Sequence, residues 1–167
     1  AFEYCTSLVK ITIPDNVTSV GYGAFENCTA LKTINFPKKA ETIPSYFVYG
    51  CTSLESFTIP STVTTIETGA FSQCTNLSKV TIPESVKQIS WDGIFYNTTK
   101  LKKAGPIGSG SNIEYGWKQK IIDNAFANSS ITSVSFGSGI TELGDGVFHD
   151  CQNLSKVTLP AKITKYG

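Results

Sequence analysis

The chain contains no arginine and no methionine, only one histidine, and nearly balanced charge. Its 14 cationic residues are all lysines and face 13 acidic ones, for a net charge of +1. Nucleic-acid binders gather Lys and Arg on one face and read base edges with the arginine fork, so this balance argues against a nucleic-acid partner. No apolar run approaches the roughly 18 residues that a membrane span requires. The opening stretch AFEYCTSLVK lacks a basic region followed by an apolar one. Membrane insertion is therefore not expected within these residues, and any export signal or anchor is expected outside them. Catalytic groupings are missing too. There is no C-x-x-C cluster, and the glycine-rich GPIGSGS lacks the Lys-Ser/Thr ending of a phosphate loop. Neither an enzyme nor a cofactor is expected.

What the sequence does have is repetition. Hydrophobic residues make up 40% of the chain, enough for a core. Cys5, Cys28, Cys51 and Cys74 follow one another at intervals of 23 residues. Around them recur AFEYCTSLVKITIP, AFENCTALKTINFP, FVYGCTSLESFTIP and AFSQCTNLSKVTIP, each followed by an apolar pair such as Val17/Val20 or Val63/Ile66. The next unit carries one added residue and sets Ile94, Phe95, Thr98 and Leu101 where Ala70, Phe71, Cys74 and Leu77 stood. Leu101 and Ile131 then lie 30 apart, and the surplus is assigned to an insertion at 105–123. The frame resumes in AFANSSITSVSFG and VFHDCQNLSKVTLP, giving about seven units with the last one partial. A period of this length means that one unit cannot bury its apolar face alone and must stack on its neighbours.

Within a unit, the segment from leucine to proline alternates, so Ile11 and Ile13 point to one side and Lys10 and Thr12 to the other. That pattern predicts a half-buried strand, closed by Pro14, Pro37, Pro60, Pro83 or Pro160, which have no N–H for a ladder. Parallel stacking of such strands would make a sheet roughly 30–35 Å long. The Ala-Phe pair before each cysteine follows a turn, as in Asn124-Ala125-Phe126, and suggests one short helical or 3₁₀ turn whose phenylalanine fills the core.

The unit C-x-x-L-x-x-I-x-I-P-x-x-V-x-x-I-x-x-x-A-F resembles the BspA-like leucine-rich repeats of bacterial surface proteins, over nearly the whole chain except the insertion. The resemblance implies a repeat solenoid: a right-handed leucine-rich-repeat superhelix with a parallel β-sheet on the concave side and short helical or 3₁₀ turns on the convex side. It also implies an extracellular or cell-surface protein that adheres to host matrix or bacterial surface proteins and has no enzymatic activity. No binding residues carry over, because repeat proteins read ligands with positions that vary between members.

Several residues invite a functional reading. The five cysteines occupy one repeat slot, which Thr98 and Ser129 fill elsewhere, so they are expected to form an internal ladder of free thiols at interior rungs. His149, beside Asp150 and Cys151, falls in a variable slot and is expected to be exposed and inert. The Asn-x-Ser/Thr triplets at Asn16, Asn27, Asn76, Asn97, Asn128 and Asn153 are read as compositional. The outward strand positions run Lys10/Thr12, Thr33/Asn35, Ser56/Thr58, Lys79/Thr81, Lys103/Gly105, Ser133/Ser135 and Lys156/Thr158, a hydroxyl-rich and mildly basic face suited to a polar or acidic protein segment. Trp91, Tyr115 and Trp117 lie off the apolar frame and are candidate interface anchors. For Trp117 the alternative of covering a small core of the insertion stays open.

The candidate binding set is thus Lys10, Thr12, Lys79, Thr81, Lys103, Lys156, Trp91, Tyr115 and Trp117, with no metal site. The expected function is a binding or adhesion module; the alternative is a structural spacer or stalk that displays other domains. The chain reads as a single repeat domain, 1–167, that begins and stops in mid-unit and so belongs to a longer protein. In it Phe2 and Leu8 at one side, and Leu159 and Ile163 at the other, are expected to be uncovered. Extra residues in a stack of repeats emerge as loops, so limited proteolysis should nick the chain first within 105–123. First cleavages inside the regular units, read by mass spectrometry, contradict that assignment.

Overall fold

The computed structural model describes residues 1–83, 85–86, 88–89, 93–101, 103–107, 120–121, 126–129, 131–136, 141–159 and 161–167. Each unit contributes a first strand directly after its leucine slot. These strands are β1 (Lys10–Ile11), β2 (Thr33–Ile34), β4 (Ser56–Thr58), β6 (Lys79–Thr81), β8 (Lys103–Ile107), β10 (Ser133–Phe136) and β12 (Lys156–Thr158). All of their pairings are parallel, and equivalent residues face one another: Lys10 opposite Thr33, Ser56 opposite Lys79, Ser133 opposite Lys156. β2 lies against β4 and β6 against β8, so the strands follow one another in a single row.

A second row was not expected. The V-x-x-I pair of the repeat ends in its own short strand, forming β3 (Thr42–Ile43), β5 (Thr65–Ile66), β7 (Gln88–Ile89), β9 (Lys120–Ile121), β11 (Glu142–Leu143) and β13 (Lys165–Tyr166). These also pair in parallel, as Thr42 with Thr65 and Glu142 with Lys120. Every unit after the first therefore gives two strands, and the buried apolar residues of both rows point between them. Ile34, Phe57, Val80 and Val134 from the first row are buried together with Ile43, Ile66 and Leu143 from the second. Leu31, Leu54, Leu77, Leu101 and Ile131 form a fully buried column beside them. Burying such a side chain contributes roughly 1.5–3 kcal/mol, which a lone unit cannot gather for want of a covering neighbour.

The segment expected as an insertion gives its first residues to β8 and Lys120–Ile121 to β9. The extra length therefore falls in 108–119, outside the described residues. Within β8, Gly105 and Pro106 oppose the single residue Ser135 where the register against β10 shifts. A proline without an N–H is accommodated by such a bulge.

The helical or 3₁₀ turn expected before each cysteine is not formed; no helix occurs among the described residues. The reason lies in the backbone donors. In the second unit Glu26 and Cys28 donate to the carbonyls three residues back, Gly23 and Phe25, as a helical turn would. The alternate N–H groups of Gly23, Phe25 and Asn27 instead reach Ser45, Phe47 and Tyr49 of the next unit. The same alternation recurs with Tyr46, Val48 and Gly50 donating to Thr68, Ala70 and Ser72. Consecutive local bonds, which a helix needs, never accumulate.

The phenylalanines of these turns do stack through the core. Phe71, Phe95, Phe126 and Phe148 lie face to face at 5.6, 5.7 and 6.0 Å between ring centroids, tilted by 14° or less. In the third unit Val48 takes the slot and Phe47, one residue earlier, fills the gap edge-on to Phe25 and Phe36. At the first and last units Phe2 and Leu159 are exposed, whereas Leu8 and Ile163 pack partly against the core. Phe71 touches rings on both sides and is fully buried. Phe71→Ala should cost about 3–5 kcal/mol in urea denaturation, while Lys79→Ala on the exposed face should stay within about 0.5 kcal/mol.

Candidate functional site

Two surfaces flank the core: the outer face of the first strand row, and the side of the stack that carries the turns. On the strand face Lys10, Thr12, Lys79 and Lys156 are exposed as expected, with Thr33, Ser56, Thr58 and Thr158 between them. The register brings Lys79 beside Ser56, and Ser133 between Lys103 and Lys156. For Thr81 and Lys103 the backbone alone is described, in β6 and β8. Trp91, Tyr115 and Trp117 lie outside the described residues. Asn35 departs from the expectation: its amide is tied to the first unit, accepting from Ile13 N–H at 2.7 Å and donating to Ile13 C=O at 2.8 Å. It serves as a ladder rung beyond the end of β2 rather than as a free recognition group.

The cysteine slot is a ladder of thiol donors. Cys28, Cys51, Cys74 and Cys151 each donate to a carbonyl of the preceding unit, Phe2, Phe25, Val48 and Phe126, at 3.0–3.1 Å. Thr98 instead turns its hydroxyl to Phe95 C=O of its own turn at 2.7 Å. All five cysteines are free thiols, but their environments differ from the uniform interior that was expected. Cys28, Cys51 and Cys74 are buried, Cys151 is half-buried, and Cys5, in the first unit, is exposed. Burial, followed by the neighbouring Cys28 thiol, pushes Cys51 up to about 12. Cys74 and Cys28 are raised first by burial as well.

The turn side owes its shape to two recurring left-handed slots. The residue before the cysteine has positive φ in every unit: Tyr4, Asn27, Gly50, Gln73, Asn97, Asn128 and Asp150. Asparagine adopts this region more readily than most residues. That accounts for the choice of Asn27, Asn97 and Asn128 in this slot. The adjacent His149 is exposed, with Nδ1 at 3.2 Å from an Asp150 carboxylate oxygen. The second slot, five residues before the cysteine, holds Gly23, Gly69, Gly93 and Gly146, but in the third unit it holds Tyr46 at φ 57°.

Tyrosines cluster around that exception. Tyr22 and Tyr46 lie 5.3 Å apart by ring centroids, and Tyr46 and Tyr49 5.5 Å. Tyr46, Tyr49 and Tyr96 border a cleft of about 270 Å³ whose floor includes Gly69, Ser72 and Gly93. A second cleft, of about 360 Å³, is lined by Asn97, Asn128, Asp150, Gln152 and Asn153 among others. None of these tyrosines was singled out from sequence. The available signal was a tyrosine in a slot that other units give to glycine.

Among the described residues, no three His, Cys, Asp or Glu side chains are placed to hold a metal ion, and no helix is long and apolar enough to cross a membrane. The BspA-type leucine-rich-repeat region matches in six copies, over residues 1–116 and 118–167. The chain belongs to the BspA-type leucine-rich-repeat family.

Solved structures of similar fold include a leucine-rich cell surface protein from Faecalibacterium prausnitzii, 31% identical with a TM-score of 0.73 over 90% of this chain. Another is the leucine-rich-repeat protein of T. pallidum, 23% identical with a TM-score of 0.74 over 93% of this chain. A third is the pneumococcal vaccine antigen PcpA, 15% identical with a TM-score of 0.59 over 95%. The chain spans 66% of the T. pallidum protein, 38% of the Faecalibacterium one and 50% of PcpA. No curated protein is significantly similar to it.

The BspA-type cysteine slot makes a direct prediction. In native buffer a thiol reagent should label Cys5 rapidly and Cys151 more slowly, and should reach Cys28, Cys51 and Cys74 only on unfolding. Rapid labelling of the three buried thiols, mapped by mass spectrometry, contradicts the ladder. The raised thiols also set a pH dependence. Below the ordinary thiol value of about 8.5 they are neutral in the folded and unfolded chain alike. Above it the unfolded chain releases protons that the folded chain retains, for Cys51 up to about 12. Stability should therefore fall as pH rises from about 8.5, and less steeply in a Cys51→Ala variant.

Proposed function

We propose that the chain is a non-catalytic binding module of the cell surface, one repeat domain of a longer adhesin-like protein. Its right-handed solenoid presents the strand face, as a concave surface, to a protein ligand. The observation that carries this reading is the in-register row of exposed Lys10, Thr33, Ser56 and Lys79, continued by Ser133 and Lys156. Hydroxyls and ammonium groups follow one another along this row at the interstrand spacing of about 4.8 Å, and separated lysines favour a ligand carrying carboxylates. Membership of a family of surface repeat proteins, and the Faecalibacterium cell surface protein of similar fold, support display outside the cell. Trp91, Tyr115 and Trp117 are proposed as further aromatic anchors for a protein ligand.

The test is solid-phase binding of the purified chain to a panel of extracellular-matrix proteins and to whole bacteria. Saturable binding is expected, weakened about tenfold or more in a Lys10→Glu, Lys79→Glu, Lys156→Glu triple variant and at raised ionic strength. Binding indifferent to both changes removes the strand face as the site, and the absence of any binding removes the adhesive reading.

A further inference from the structure

We propose that the tyrosine cleft on the turn side is a binding site for a neutral saccharide, separate from the strand face. The cleft is built by an interruption in the repeat. Two slots point to this surface, and the third, fourth and fifth units fill them with Tyr46 and Tyr49, Gly69 and Ser72, and Gly93 and Tyr96. The small pair in the middle unit leaves a gap, and Tyr49 and Tyr96 stand on either side of it, two rungs or about 10 Å apart. Ser72 donates its hydroxyl to Gly93 C=O, which closes the floor between two units.

Gly69 has to be glycine for this. It sits at φ +60°, and a Cβ there would stand 2.9 Å from the Tyr46 ring. Tyr46 itself occupies a left-handed backbone position that Gly23, Gly69, Gly93 and Gly146 hold without cost in their units. A side chain kept in that conformation at the mouth of a cleft is the kind of local strain that accompanies a ligand site.

The chemistry of the lining selects the ligand. None of its eight described residues carries a charge at neutral pH, so the lining offers an ionic ligand no ion pair. Tyrosine offers an apolar ring face and a polar tip. A sugar ring offers the complement, a C–H face and a rim of hydroxyls, and Thr68 and Gln73 add polar groups to the edge. The volume of about 270 Å³ lies just under the roughly 300 Å³ at which pockets for drug-sized ligands begin, which suits one or two sugar rings.

The adjoining cleft extends the site. Asn97 lines it and donates its amide to the Gln73 carbonyl oxygen at 2.6 Å, so the aromatic and carboxamide clefts share a wall. A short oligosaccharide could stack one end on the tyrosines and hydrogen-bond its next residues to Asn128, Gln152 and Asn153.

The test titrates the intact chain with cellotetraose, laminaritetraose, mannotetraose and chitotetraose, and with a proline-rich peptide, by calorimetry and by NMR of the tyrosine rings. Saturable binding of at least one saccharide is expected, with Tyr49→Ala and Tyr96→Ala each weakening it about tenfold. Tyr46→Gly, which restores the residue other units carry, should weaken binding while the thermal midpoint does not fall below that of the two alanine variants. The lysine triple variant of the strand face should bind saccharide unchanged, which separates this site from the protein-binding one. No binding at millimolar saccharide, binding that survives the tyrosine substitutions, or preference for the proline-rich peptide overturns the proposal.

Discussion

Everything in this fold follows from the turn donors. A unit of this repeat cannot satisfy its own backbone. In the turn before the cysteine slot alternate N–H groups, such as those of Phe25 and Asn27, have their acceptors in the next unit. A buried donor left without a partner costs about 1–3 kcal/mol, so a turn stripped of its neighbour loses hydrogen bonds as well as apolar cover. The thiols add bonds in the opposite direction, from Cys51 back to Phe25 C=O for example. Strand pairing, turn bonding and thiol donation thus all run between units. The 23-residue period is fixed by the need to bring these three sets into register together.

The same constraint explains where variation is free. The leucine, cysteine and phenylalanine slots face neighbours on both sides and tolerate only close substitutes: Thr98 for cysteine, or Val48 with Phe47 for phenylalanine. Strand positions such as Lys10, Thr33, Ser56 and Lys79 are exposed and largely free to vary, whereas Asn35 and Gly69 are set by contacts with the neighbouring unit. Lysine, serine and threonine can therefore alternate along the strand face without disturbing the stack. Binding surfaces in such a chain are therefore written as departures from the repeat. The tyrosine cleft is one, produced by small residues in one unit between large ones in its neighbours.

Period, strand positions, the buried leucine and phenylalanine columns, and the shared cysteine slot were legible in the sequence because each follows from side-chain identity at fixed spacing. The second strand row was not, since two residues such as Thr42–Ile43 carry too little alternation to mark a strand. The missing helical turn was illegible for a related reason. Ala-Phe followed by polar residues fits a helical turn locally, and only the competing acceptor one unit away decides against it. Asn35 and Cys5 differ from expectation through position in the stack, one bonding across to Ile13 and the other lying exposed in the first unit. Of the candidate site, the lysine row could be read directly, but Tyr46 acquires meaning only once its slot is known to be left-handed.

Native-state amide exchange measures the central claim most directly, because it reports each turn donor separately. Phe25, Val48 and Phe71 donate to Phe47, Ala70 and Ile94 of the following unit, whereas Glu26, Tyr49 and Ser72 of the same turns donate locally. The account predicts that the first three exchange only through opening of whole units, as slowly as the core strands, and more slowly than the second three. Exchange of Phe25, Val48 and Phe71 at the rate of their locally bonded neighbours would contradict it.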